Sequence, residues 1–143
     1  MAHPVGILVV PFPAHGHLNQ LLHFSLHLSS HNLPVHFAAS ATHNRQARDR
    51  IQGWNSTSVD KVHFHDLQIP PFSTPPPDPD AVIKFPAHLQ PMFEASDHLR
   101  SPLLDLFRLL SGTYERLVVV HDPLMSFAGK VRRREKSNHS NIL

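Results

Sequence analysis

With 143 residues and 41% hydrophobic content, the chain is long enough to bury one real core and too short for two full domains. A net charge of +2, from 13 basic and 11 acidic residues, argues against a dedicated nucleic-acid binder, and the lack of cysteine excludes a disulfide framework and thiol chemistry. The apolar run Val5 to Val10 has no basic n-region or full h-region, and no stretch approaches the ~20 residues that span a bilayer. A cytoplasmic protein without membrane or nucleic-acid partners is therefore expected.

Val5 to Val10 reads as a buried β-strand that stops at Pro11-Phe12-Pro13 and turns at Gly16 into a helical segment. Leu18, Leu21, Leu22, Ser25 and Leu28 recur on one face of that helix. A strand, a tight turn and an amphipathic helix open a doubly wound α/β sheet, whose strand-to-helix turns face the ligand crevice. His17 stands at this turn.

Leu33 to Ala39 is a second predicted strand. Thr42 is the expected cap of a short polar helix from Asn44 to Gln52, ending at Gly53. Val62 to Leu67 alternates as a third strand, and the proline-rich segment from Ile69 to Asp80 is excluded from helix and central strand. Ala87 to Leu110 is helical by pattern, with Leu89, Met92, Phe93, Leu99, Leu103, Phe107 and Leu110 on its inner face and a break or restart at Pro102, capped by Ser101. Arg116 to Asp122 is the fourth strand. In a sheet of order 3-2-1-4 the first and fourth strands are neighbours, so His17 and Asp122 are expected to face each other. Residues 129–143 are basic, polar and aperiodic and read as a disordered tail, leaving 1–128 as the folded domain.

Several stretches together resemble the plant UDP-dependent glycosyltransferases. They are Pro11-Phe12-Pro13-Ala14-His15-Gly16-His17-Leu18-Asn19, Ala41 to Ala47, His63 to Asp66 with Ile69 to Phe72, Phe85 to Pro91 with Phe93 to Ser96, and Val118 to Met125. The zeatin (cytokinin) O-glucosyltransferases are the group within that family they resemble most. The resemblance implies the N-terminal half of a GT-B fold, an α/β unit whose parallel Rossmann-like sheet is here incomplete. It further implies an inverting transfer of glucose or another sugar from a UDP-sugar co-substrate to a hydroxyl of a small molecule such as zeatin, with no metal or other cofactor. The catalytic base of the family maps to His17 and its partner carboxylate to Asp122. The chain stops short of family length and departs from the family pattern near Gly129, so a truncated product without the donor-binding half is expected.

From the residues alone, a helix-terminal His17 and a strand-ending Asp122 without catalytic duty is the plainer reading; the motif likeness at both places favours the dyad. A near-neutral imidazole suits removal of a hydroxyl proton, and a carboxylate on its other nitrogen fixes the tautomer. His15, Phe12, His88, Met92 and Phe93 are candidate acceptor-lining residues, although aromatics and Met at helical spacing are more often core. His23, His27 and His31 have the spacing of zinc ligands on a helix, and His63 and His65 share a strand face. With no carboxylate, cysteine or second helix to complete a site, no metal is expected. Two readings follow: the acceptor-binding half of a glycosyltransferase, or an inactive or merely small-molecule-binding fragment. For the activity of this chain the second is favoured. The valine-rich fourth strand, left at a sheet edge, is expected to promote association.

Overall fold

The computed structural model describes residues 4–12, 15–51, 59–68, 76, 79–80, 90–125 and 128, with only the backbone considered at His15, Met92 and Phe93. Four parallel strands, β1 (Val5–Val10), β2 (Val35–Ser40), β3 (Val62–Leu67) and β4 (Arg116–His121), form one sheet in the order β3-β2-β1-β4. Between them run α1 (His15–Ser30), α2 (Ala41–Arg50), α3 (Gln90–Asp97) and α4 (Arg100–Thr113). This is the strand order expected from the sequence. Its physical basis is the burial of β1 and β2: Leu8, Val9, Val10, Val35, Phe37 and Ala38 are all at most 1% exposed, as central parallel strands covered on both faces must be.

Alternation along the strands sorts the core into two layers. Ile7, Val9, Val35, Phe37, Ala39 and Val62 meet Leu18, Leu22 and Leu26 of α1 and Ala47 of α2. Leu8, Val10, Ala38, Leu67 and Leu117 meet Leu99 and the α4 residues Leu103, Leu106, Phe107 and Leu110. The sheet is thus covered from both sides by helices, the arrangement that the apolar spacing in both helical segments predicts.

Local chemistry moved several boundaries. The cap of α2 is Ser40 rather than Thr42, because Ser40 sits in extended geometry (φ −64°, ψ 158°) and its side chain accepts from the His43 N–H at 3.3 Å. The long C-terminal helix is two helices, parted at His98 and Leu99 rather than at Ser101. Pro102 then falls in the first turn of α4, where its missing N–H has no helical acceptor to lose. β4 is less covered than its valines suggested: Val118, Val119 and Val120 are only half-buried, since β4 ends the sheet among the described residues. Residues 129–143, His88 and most of the proline-rich segment lie outside the described residues.

Candidate active site

The parallel register of β1 and β4 pairs Val10 with His121, so the two strands finish together. Asp122 continues the ladder by one residue, its N–H donating to Val10 O at 3.1 Å. The chain then closes a 3-10 turn over Pro123–Met125, in which the Met125 N–H donates to Asp122 O at 2.8 Å. From β1 the chain passes through Pro11 and Phe12 and re-enters helix at His15, which puts His17 in the first turn of α1.

His17 Nδ1 and Asp122 Oδ2 are joined by a hydrogen bond. The other carboxylate oxygen, Oδ1, accepts the Leu124 N–H at 2.9 Å. Asp122 is 6% exposed and both of its oxygens are engaged, the condition under which a buried carboxylate is tolerated. His17 keeps 45% of its side-chain surface open. The Phe12 ring, 1% exposed, lies edge-on to the imidazole at 5.6 Å between centroids and 72° between planes. Anchoring Nδ1 on a fixed carboxylate leaves Nε2 as the nitrogen available to an incoming group. Such an imidazole can accept a proton at Nε2 while the carboxylate stabilises the cation that forms.

The other candidates are more scattered. Phe12 belongs to the core and touches His17. His15 lies in the first turn of α1 and Met92 and Phe93 in α3, their side chains not being described, and His88 is outside the described residues. His23 and His27 are exposed on α1 and His31 in the turn just after it, with the His27 and His31 rings 5.0 Å apart.

Two features escaped the sequence. One is the Leu124 amide that holds Asp122, which only the turn after β4 creates. The other is a polar cluster towards the opposite, N-terminal ends of the strands. His36 Nδ1 and His65 Nε2 share a hydrogen bond of 2.8 Å, His36 Nε2 and the Tyr114 hydroxyl another of 2.7 Å, and His63 stacks on His36 at 5.0 Å. Burial, reinforced by the neighbouring His65 and His63, lowers the His36 pKa to about 4. Burial and His63 lower that of His65, and burial raises that of Tyr114. The register that sets His36 opposite His63 was the signal available, had strand pairing been written out residue by residue.

Residues 3–138 match the family model described as glycosyltransferase, N-terminal domain. The chain belongs to this family. Among similar proteins, cis-zeatin O-glucosyltransferase 2 of Zea mays is 51% identical over 125 residues, which is 87% of this chain and 27% of that one. Zeatin O-glucosyltransferase of Phaseolus lunatus is 46% identical over 138 residues, 96% of this chain and 28% of that one, and zeatin O-xylosyltransferase of Phaseolus vulgaris is 41% identical over the same length. The chain therefore spans little more than a quarter of these relatives. In fold it is similar to Arabidopsis thaliana UGT89C1 complexed with UDP-L-rhamnose, with a TM-score of 0.65 and 21% identity over 95% of this chain and 35% of that one. A glycosyltransferase of Siraitia grosvenorii in complex with UDP gives a TM-score of 0.61 and 19% identity over 92% of this chain and 26% of that one. The α/β unit of this glycosyltransferase-family chain thus has the parallel sheet of the GT-B enzymes. No helix among the described residues is long and apolar enough to cross a membrane.

Proposed function

We propose that this chain is the acceptor-binding half of a UDP-dependent glycosyltransferase that passes a sugar to a hydroxyl of a small molecule of the zeatin type. His17 Nε2 takes the acceptor proton as the hydroxyl oxygen attacks the anomeric carbon, and UDP departs from the opposite face, so the configuration inverts. Asp122, held by Leu124 N–H, keeps the His17 proton on Nδ1 and stabilises the imidazolium. The observation that carries this reading is the hydrogen bond between two residues 105 positions apart, at the meeting point of β1 and β4. His15, His88, Met92 and Phe93 are proposed to face the acceptor, Phe12 to support His17 from below, and the UDP-sugar to be held by sequence outside these 143 residues. A polypeptide of these residues alone is then a binder of the acceptor rather than a catalyst.

The test is a chimera in which this chain replaces the matching region of the Phaseolus lunatus zeatin O-glucosyltransferase, to which it is 46% identical. The chimera is expected to transfer glucose to zeatin, and His17→Ala to slow it by about 10²- to 10⁴-fold, the usual contribution of a general base. Asp122→Asn, whose amide favours the other tautomer, is expected to lose a similar factor with zeatin binding kept. Undiminished transfer by the His17→Ala chimera would overturn the assignment.

A further inference from the structure

We propose that His27 and His31 form a two-histidine chelate for a divalent metal ion of the zinc class at the C-terminal end of α1. Both side chains are exposed and lie four residues apart, His27 in the last turn of α1 and His31 in the turn that directly follows it, so the helical i, i+4 spacing is carried one residue past the end of the helix. Spacing alone is a weak sign; the ring geometry adds to it. A metal at about 2.0–2.1 Å from an imidazole nitrogen lies about 3.2 Å from the ring centroid, so two ligands about 90–109° apart put their centroids about 4.5–5.2 Å from each other. The His27 and His31 centroids are 5.0 Å apart. The planes are inclined by 80°, and turning exposed rings about Cβ–Cγ to aim both lone pairs at one point displaces no core atom.

The surrounding backbone fixes this spacing. His31 N–H donates to Leu28 O at 3.1 Å and Asn32 N–H to Ser29 O at 3.0 Å, closing the end of the helix. Asn32 takes the left-handed conformation (φ 63°) that terminates helices, and its side chain accepts from Lys61 Nζ. The negative end of the helix dipole meets a cation at this point. The proposed coordination is by these two imidazoles and water; among the described residues no group of three or more His, Cys, Asp or Glu side chains is arranged to hold a metal. The other histidine cluster is poorer, because His36 Nδ1 and His65 Nε2 are already bonded to each other and His36 Nε2 to Tyr114.

His27, the nearer of the two, follows His17 by ten residues, about 15 Å of helix, so this site is separate from the proposed dyad and does not depend on its role. The test is Zn²⁺ alone added to the 143-residue chain, followed by calorimetry and by the ring-proton resonances of the histidines. His27 and His31 resonances are expected to shift together, and His27→Ala and His31→Ala each to weaken the tightest binding by about tenfold or more. His31→Cys supplies a thiolate and is expected to retain it, whereas His98→Ala is expected to change nothing. Tightest binding that is unchanged in His31→Ala, or that shifts His36, His63 and His65 instead, would overturn the proposal.

Discussion

Gly6 lies directly beneath the ring of Tyr114: a β-carbon at position 6 would stand 2.5 Å from Tyr114 Cδ2 and 2.7 Å from Cγ. The ring cannot swing aside without breaking the hydroxyl's bond to His36. Glycine is therefore needed at the second position of an otherwise β-branched and leucine strand, where it would normally weaken the structure. Gly6→Ala is expected to destabilise the fold by about 1–3 kcal/mol, the usual range for overpacking. Thermal unfolding measures this, and pairing the change with Tyr114→Ala should recover part of the loss. A melt unchanged by Gly6→Ala would show that the ring moves freely.

The polar cluster fed by Tyr114 also makes stability depend on pH. His36 titrates at about 4 rather than 6.5, and His65 is lowered as well. The unfolded chain therefore binds more protons than the folded one between these values. Stability is expected to be complete above pH 6.5 and to fall as the pH drops towards 4. The loss begins above the ordinary carboxylate range, which separates it from general acid unfolding. Melting temperatures across this window test it, with His36→Phe as the variant in which the slope should shrink. A flat profile between pH 6.5 and 5 would contradict the burial of neutral His36.

How much of this was legible beforehand depends on the range of the interactions. β1 and β3 coincide with their predicted limits because each is a continuous or alternating apolar run cut off by proline, glycine or polar residues. The meeting of His17 and Asp122 followed from strand order, since parallel neighbours end on the same side of a sheet. The cap at Ser40 was misplaced by two residues because Ser40, Thr42 and Asn44 are all plausible caps and only the observed φ and ψ choose between them. Writing out the β2–β3 register would have placed His36 opposite His63, but the hydrogen bonds of the Tyr114–His36–His65 chain join residues 78 and 29 positions apart through side-chain rotamers that no periodicity encodes.

Asn44, fully buried at the start of α2, ties that helix to two strands. Its Nδ2 lies 3.2 Å from Ala39 O, 2.8 Å from His65 O and 2.8 Å from Asp66 Oδ1, within donating reach of all three. Asn44→Asp places an acceptor against three acceptors and a second carboxylate beside Asp66. A loss of about 3–5 kcal/mol is expected, as for a buried charge without its partner. The deficit should shrink in mildly acidic buffer, where protonation restores one donor. Denaturant unfolding at two pH values measures both effects, and an Asn44→Asp variant as stable as the parent would refute the assigned donor role.

The edge of β4 that no other described strand pairs with gives the last test, on the polypeptide of these 143 residues. Arg116 N–H donates to Pro4 O and Asp122 N–H to Val10 O. Because backbone groups alternate sides along a strand, the even-numbered residues of β4 bond to β1, and Leu117, Val119 and His121 aim theirs outwards. Half-buried valines flanking such an outward row favour pairing with a second chain. Val119→Pro deletes an outward donor and no bond to β1, so it is expected to reduce association while lowering the melting temperature only slightly. Val118→Pro deletes a ladder donor instead and is expected to destabilise the fold clearly more. Light scattering with size-exclusion chromatography follows the first effect and thermal unfolding the second. Equal association by the parent and Val119→Pro would show that β4 is not the surface through which these chains meet.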